Sequence, residues 1–377
     1  MTNLDNHIHI IAFDVPWPPD YGGVIDVFYK LKALAEHGIK IHLHCFRYGR
    51  NKALELESFC EEVCYYSRKS IFLSLLSKTP YIVASRRSNE LFRNLVKNKY
   101  PIFFEGLHTS FYLNRKELKD RMKVVRMHNI EYIYYLHLAK VEKNPIKQFY
   151  FVKEASRLKK FQFSLNNASK IAAISPSDQS ILQIKHNNSF YLPVFHANEQ
   201  LTSQAGKGDF VLYHGNLGVG ENNEAALFLV RNVFNKIKNK VIIAGSNPSA
   251  ELIRECRSYC HIQMLNPDTD GIYNLIHKAH VNVLPTFQDT GIKLKLLNAL
   301  YKGRHCIVNS KMVRETGLEE LCIIAESATE FIHYIEQCFT KEFSKEEISQ
   351  RKEILDLYFN NKKNAKTLIE QVFGSNS

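Results

Sequence analysis

The segment from Thr286 to Asn298, TFQDTGIKLKLLN, leaves an apolar run, crosses Gly291 and enters the positions Ile292, Leu296, Leu297 and Leu300, which recur at helical spacing. A helix starting there presents free amides and the positive end of its dipole, a setting that favours a phosphate. Lys295 and Asn298 are three residues apart and share a face with Gly291, whereas Lys293 points elsewhere once the helix has begun. Lys295 is therefore the candidate for a phosphate oxygen and Asn298 for a hydroxyl; the competing reading is that both lysines are solvated helix charges. A second glycine site is Gly22-Gly23, which follows Pro16-Trp17-Pro18-Pro19 and Tyr21 and precedes a helical pattern. Adjacent glycines let backbone amides approach an anion, or simply make a turn. His128 stands in RMHNIE, either as a site residue or as a turn residue bonded to backbone, with Arg126 and Glu131 placed to form a local ion pair. The pairs Cys60/Cys64 and Cys256/Cys260 have helical i,i+4 spacing, but neither has a second pair at zinc-site distance, so no metal is expected.

These residues need elements to hold them. Ile8 to Phe13 reads as a strand; Val27, Phe28, Leu31 and Leu34 read as a helix that stops at Gly38; Ile39 to Phe46 reads as a strand again. A strand, glycine loop, helix and strand in that order indicate a parallel sheet with crossover helices. Further strands are expected at Pro101 to Phe104, Lys123 to Met127 and Lys170 to Ile174, with helix between Tyr132 and Leu165. After the linker-like Asn198 to Lys207 the pattern begins anew. Strands are expected at Asp209 to Tyr213, Val241 to Ala244, His261 to Leu265, Val281 to Leu284 and Cys306 to Val308, with a helix from about Glu224. Ser327/Glu330 and Ser344/Glu347 have capping-box spacing, and a last helix runs from about Lys345 to Phe373 with an interruption near Asn360-Asn361.

Composition sets the class. The 377 residues suit two domains, and 45% hydrophobic with 23% charged residues is a globular balance rather than a disordered one. No apolar run is long enough to span a bilayer and the N-terminus is polar, so a cytoplasmic location is expected. Residues 1–190 hold 29 Lys and Arg against 17 Asp and Glu, while residues 191–377 hold 21 against 21, so the whole excess of +12 lies in the first half. That half is expected to face something anionic, such as the inner face of the cell membrane or a lipid-linked pyrophosphate. No aromatic and basic recognition motif supports a nucleic acid. Ser70 to Arg93, with Ile71, Phe72, Leu73, Leu75, Leu76, Tyr81, Arg86 and Arg87, reads either as a membrane-surface stretch or as a core-packed helix with a basic end.

At this point the motifs carry a family resemblance. PPDYGG at 18–23, EGLH at 105–108, RMHNIE at 126–131, AAISPSD at 172–178, YHGNL at 213–217, IIAGS at 242–246 and GIKLKLLNALYKG at 291–303 together resemble the retaining family 4 glycosyltransferases, over nearly the whole chain. The resemblance implies the α/β GT-B fold: two facing Rossmann-like domains with parallel sheets and a cleft between them. It divides the chain into an acceptor-side domain at 1–197, a nucleotide-sugar donor domain at 198–355, and a C-terminal helix at 356–377 that could pack back on the first domain. It implies transfer of a sugar from a nucleoside diphosphate, with retention and without an obligatory metal or other cofactor; the one-sided charge and the stretch Ser70 to Arg93 then make a glycan or lipid-linked acceptor the expected partner.

Carried over residue by residue, the resemblance puts His128, Asp289 and Thr290 at the reacting sugar. It puts Gly22, Gly23 and Asn298 at the donor; Gly215, Asn216, Gly291, Ile292, Lys293 and Lys295 are further donor candidates, and Tyr21, Glu105 and His108 are candidates for the acceptor side. Thr290 and Asn298 stand where such proteins usually have Glu, with Asp289 adjacent, and Asn216 stands where many have Arg. Lys293 and Lys295 must then neutralise the diphosphate. These departures leave two rivals: a degenerate nucleotide- or glycan-binding module or partner subunit, and a nucleotide-sugar epimerase, which needs acid and base carboxylates that the loops scarcely offer.

Overall fold

The computed structural model describes residues 6–70, 78–142, 144–287 and 294–374. They fold into two compact units, one built from the chain up to Ala197 and from Phe359 onward, the other from Asn198 to Tyr358. The first unit holds seven strands: β1 His7–Ala12, β2 Lys40–Arg47, β3 Glu62–Ser67, β4 Ile102–Glu105, β5 Lys123–Met127, β6 Lys170–Ala173 and β7 Ser189–Tyr191. The second holds six: β8 Val211–His214, β9 Val241–Ala244, β10 Ile262–Leu265, β11 Val281–Val283, β12 His305–Val308 and β13 Ile323–Ile324.

Every strand pair is parallel, in the orders β3-β2-β1-β4-β5-β6-β7 and β10-β9-β8-β11-β12-β13. Parallel strands covered by helices on both faces are apolar along their whole length, as Ile102-Phe103-Phe104 and Val241 to Ala244 are. In each unit the winding reverses once, between β1 and β4 and between β8 and β11. At such a switch point the loops beyond the strand ends diverge and leave a crevice for a ligand.

The central strands agree with the sequence reading to within a residue or two. The edge strands β3, β7 and β13 do not appear in that reading, because two to six residues with half-exposed side chains carry no periodic apolar signal. The helix expected from Glu224 starts at Gly220, since Gly-Glu-Asn-Asn reads as loop by propensity. The last helix is broken in two, Lys345–Tyr358 and Asn361–Phe373, and the Asn360 side chain caps the second by accepting from the Lys363 amide at 3.1 Å. Ala365, Leu368, Ile369 and Val372 of that second piece join the core of the first unit with Leu31 and Leu34 of the helix Gly22–Glu36. Cys64 lies on β3 and Cys60 before it, so that pair has no helical spacing.

Two further expectations are corrected. Arg86 does not face solvent or lipid headgroups: it is buried, donating through Nε to the Phe13 carbonyl at 2.9 Å and through Nη1 to that of Ile82 at 2.6 Å. Residues 71–77, which hold most of the apolar side chains of the stretch Ser70 to Arg93, lie outside the described residues. Arg126 does not pair with Glu131 but with Asp26, at 3.1 Å.

Candidate functional site

In the first unit the helix Gly22–Glu36 begins at the glycine pair, beyond the end of β1. Tyr21 occupies the cap position in extended conformation, no side chain caps the helix, and its first turn holds no acid. The amides of Gly22 and Gly23 therefore stand at a positive dipole end without a side-chain acceptor. A Cβ on Gly23 would lie 2.6 Å from Cζ of Phe13, so only glycine lets that ring close over the helix start. The same ring meets His108 and, edge-on, His128, with centroids 5.7 and 5.4 Å away. Tyr21 donates its hydroxyl to Asp14 at 3.2 Å, and its ring lies 5.1 Å from the Arg50 guanidinium. Burial and the Asp14 charge push the Tyr21 hydroxyl above its ordinary range.

Below these residues lies a buried charge cluster. Lys30 Nζ sits 3.0 Å from Asp26 Oδ2 and 2.7 Å from Glu105 Oε1; Arg126 Nη2 lies 3.1 Å from Asp26 Oδ1; His128 Nε2 lies 3.0 Å from Glu105 Oε2. The Phe195 amide also donates to Asp26, at 2.8 Å. Burial alone would raise the Asp26 and Glu105 carboxyls, but Arg126 and Lys30 beside Asp26, and Lys30 with His128 beside Glu105, hold both below the usual carboxylate range. Two carboxylates against Lys30 and Arg126 balance in charge, which such burial demands.

Glu105 therefore faces no acceptor: it is fully enclosed and fixes the His128 ring, whose bond to it rules out the backbone-bonded turn residue. Asp26 and Lys30 are absent from the sequence reading, although two charges at i,i+4 among Val24, Val27, Phe28 and Leu31 were a visible signal. Asp26, Glu105 and His128 each place one ligand-type atom within 4.8 Å of the others. Lys30 and Arg126 together already neutralise the two carboxylates, so the cluster does not fit a divalent ion.

His108 has a second neighbour. Its Nδ1 lies 3.8 Å from Glu131 Oε1, and both buried atoms lack a hydrogen-bond partner among the described residues. Burial raises the Glu131 carboxyl to about 8, against the opposing charge of Arg86, with Asp178 adding to the rise. Burial, with Arg86 next, holds His108 well below its ordinary value, so its imidazole is neutral at pH 7.

In the second unit β8 ends in the loop from Gly215 to Val219, which leads into the helix Gly220–Asn232, again without a side-chain cap. A Cβ on Gly245 would lie 1.8 Å from the Gly215 carbonyl oxygen, so the end of β9 presses directly on this loop. The Asn216 side-chain oxygen accepts from the Gly218 amide at 3.0 Å, and its carbonyl accepts from Asn222 Nδ2 at 3.0 Å. Asn216 therefore braces the loop. Lys295, on the helix Leu294–Lys302, donates from Nζ to Asn222 Oδ1 at 2.9 Å and lies 5.5 Å from the centre of the Tyr213 ring. The Tyr213 hydroxyl in turn donates to the Asn222 carbonyl at 2.7 Å.

Lys295, Gly215 and Asn216 thus meet around Asn222, across 73 residues between Lys295 and Asn222. His214 at the strand end is pushed down to about 3 by burial, with the Lys295 charge adding to it. Asn298, one turn beyond Lys295, accepts from Asn198 Nδ2 at 2.9 Å. Thr286 donates its hydroxyl to Glu221, and its backbone exchanges hydrogen bonds of 3.0 and 2.7 Å with the Asn309 side chain, tying the loop after β11 to the helix after β8. Glu221 was not singled out from sequence. Asp289, Thr290, Gly291, Ile292 and Lys293 lie outside the described residues.

The two singly wound-back parallel sheets define the GT-B fold, and solved structures of that fold align with nearly the whole chain. No family model matches the sequence. HepE of Anabaena, solved with UDP and glucose, superposes with TM-score 0.67 at 12% identity, covering 97% of this chain and 99% of that one. TarM superposes with TM-score 0.69 at 10% identity, covering 97% and 98%. A Klebsiella pneumoniae protein described as an uncharacterized 44.6 kDa protein in the cps region is 25% identical over 355 residues, 87% of this chain and 89% of that one.

Proposed function

We propose that this chain is a glycosyltransferase that moves a sugar from a nucleoside diphosphate to a glycan or lipid-linked acceptor in cell-envelope polysaccharide or glycoconjugate synthesis, with retention of configuration and without a required metal. Its setting in this reading is the cytoplasm, in peripheral contact with the anionic inner face of the membrane. The observation that carries the reading is the Lys295 ammonium, anchored at the glycine loop after β8 beside an uncapped helix start. A diphosphate there would meet one full charge and several amides. The HepE structure holds UDP and glucose, and Staphylococcus aureus TarM was solved with UDP and alpha-GlcNAc-glycerol, which supports a uridine diphosphate donor. The cps region of the Klebsiella relative supports the envelope setting.

In the reaction the bond from the anomeric carbon to the diphosphate oxygen breaks, a bond from that carbon to an acceptor oxygen forms, and the acceptor proton leaves with the diphosphate. Charge grows on the leaving group, so donors fixed at that oxygen accelerate the step. Lys295 and the helix amides supply them. In this reading His128, held by Glu105 with its ring beside Phe13, would serve the sugar, and His108 and Tyr21 would serve the acceptor.

The degenerate reading keeps one supporting observation, the Asn298 amide engaged by Asn198 where a carboxylate would contact the donor. One experiment separates the two. The full chain is heated with a panel of nucleoside diphosphate sugars, and nucleotide release is then followed with acceptor-containing membranes. The proposal expects stabilisation by one donor and release only with acceptor. Stabilisation without release leaves the binding module, and conversion of the free donor leaves the epimerase.

A further inference from the structure

The helical hairpin Glu131–Val141 and Pro145–Phe161 carries large apolar side chains that its own unit leaves uncovered. Ile146 is 80% exposed, Val141 70% and Phe149 67%, and Leu136 and Val152 are also exposed. Scattered exposure of single apolar residues is ordinary, but five within seventeen consecutive positions, 136–152, form a patch. The inner face is already filled: Tyr135 packs edge-on against Phe151 at 6.0 Å, and Ala155 and Leu158 are buried. At about 100° per residue, Ile146, Phe149 and Lys153 fall on the side opposite Phe151, Ala155 and Leu158.

The projecting end is firmly built. The Asn144 side chain accepts from the amides of Ile146 and Lys147 at 2.9 and 3.2 Å, Pro145 opens the helix, and Gln148 ties it to the Ala139 carbonyl at 3.0 Å. Charge identifies what covers it. Residues 132–153 contain four lysines, Lys140, Lys143, Lys147 and Lys153, against the single acid Glu142. A second copy of the chain would bring like charge against like. Apolar side chains that protrude from a hairpin end, interleaved with lysines, suit a deformable anionic interface, where the apolar groups enter and the ammonium groups meet headgroups.

We propose that the end of this hairpin, through Ile146, Phe149, Val152 and the neighbouring Lys140, Lys147 and Lys153, docks the protein on an anionic lipid bilayer. The proposal deepens the reading of a peripheral membrane protein and does not depend on the transfer reaction. The basic excess of residues 1–190 adds longer-range attraction of the same sign. The hairpin replaces the stretch Ser70 to Arg93 as the docking element, since Arg86 there is buried in the fold.

The test is flotation of the full chain with phosphatidylcholine vesicles, with and without phosphatidylglycerol. The wild type is expected to float with the anionic vesicles, less so as salt rises. The double variant I146D/F149D, at two exposed positions, is expected to lose partitioning by about tenfold or more while its melting temperature and its stabilisation by a donor nucleotide stay unchanged. K140E/K147E is expected to lose the preference for anionic vesicles. Absence of wild-type flotation, or equal flotation of I146D/F149D, overturns the proposal. A wild-type dimer in solution that I146D/F149D converts to monomer would assign the patch to a second copy and equally overturn it. Loss of donor stabilisation in the wild type would instead count against the transferase reading and leave the docking result standing.

Discussion

Lys295 owes its position to a hydrogen bond with Asn222 and to the Tyr213 ring, two contacts that hold an ammonium still before any ligand arrives. Lys295→Ala removes a charged donor from the loop after β8. It is expected to weaken nucleoside diphosphate binding by about 1.5–3 kcal/mol, or roughly 10- to 100-fold in Kd by titration calorimetry. An unchanged Kd would remove Lys295 from the phosphate site. Glu131 makes a pH prediction. Its folded pKa of about 8 stands above the ordinary glutamate value of 4.5, so between those values the folded chain holds a proton that the unfolded chain has lost. Stability from this group is therefore full below about pH 4.5 and falls as pH rises through 8. Glu131→Gln abolishes the titration, so denaturant melts at pH 5 and pH 9 should show the variant losing about 1–3 kcal/mol less than the wild type over that range. Parallel losses would mean that the carboxyl is ionised throughout.

At the scale of elements, the loop after β8 is shaped from outside itself. The Gly245 backbone at the end of β9 touches the Gly215 carbonyl, and Gly218 donates to the Ser246 carbonyl at 3.1 Å. Gly245→Ala forces those strand ends apart. We expect it to cost about 2–4 kcal/mol by urea denaturation and to weaken donor binding as well, although Gly245 itself carries no charge. Full donor affinity in Gly245→Ala would show that the loop does not depend on this contact. Helix starts follow local chemistry more directly. Ser327 accepts from the Glu330 amide at 3.2 Å while the Glu330 carboxylate accepts from Ser327 at 3.2 Å, and Ser344 and Glu347 repeat the exchange at 3.1 and 2.7 Å.

At the scale of the whole molecule, the C-terminal helix Asn361–Phe373 returns to a core formed some 330 residues earlier, because its face of Ala365, Leu368, Ile369 and Val372 is too apolar to leave in water. Leu368 is buried there against the first unit alone. Leu368→Ala should cost about 2–5 kcal/mol. Hydrogen exchange should speed up in β1, β2 and the helix Gly22–Glu36, with β8 to β12 unchanged; faster exchange in β8 to β12 instead would contradict this assignment of the core.

The parallel α/β architecture, the central strands, the two glycine loops and both capping boxes could be read from the sequence because each rests on local periodicity or on residues three or four apart. The same helical spacing is what set Lys295 apart as a candidate. Which atoms Lys295 touches could not be read that way, because Asn222 lies on a different helix. The environment of His128 was decided by charges from two other elements, Asp26 and Lys30 on a helix and Glu105 at a strand end, which only the β1-β4-β5 order brings together. The same folding enclosed Glu105, paired Arg126 with Asp26 rather than Glu131, and buried Arg86. Burial and pairing of charges depend on what packs against them, and a sequence states only that the charges exist.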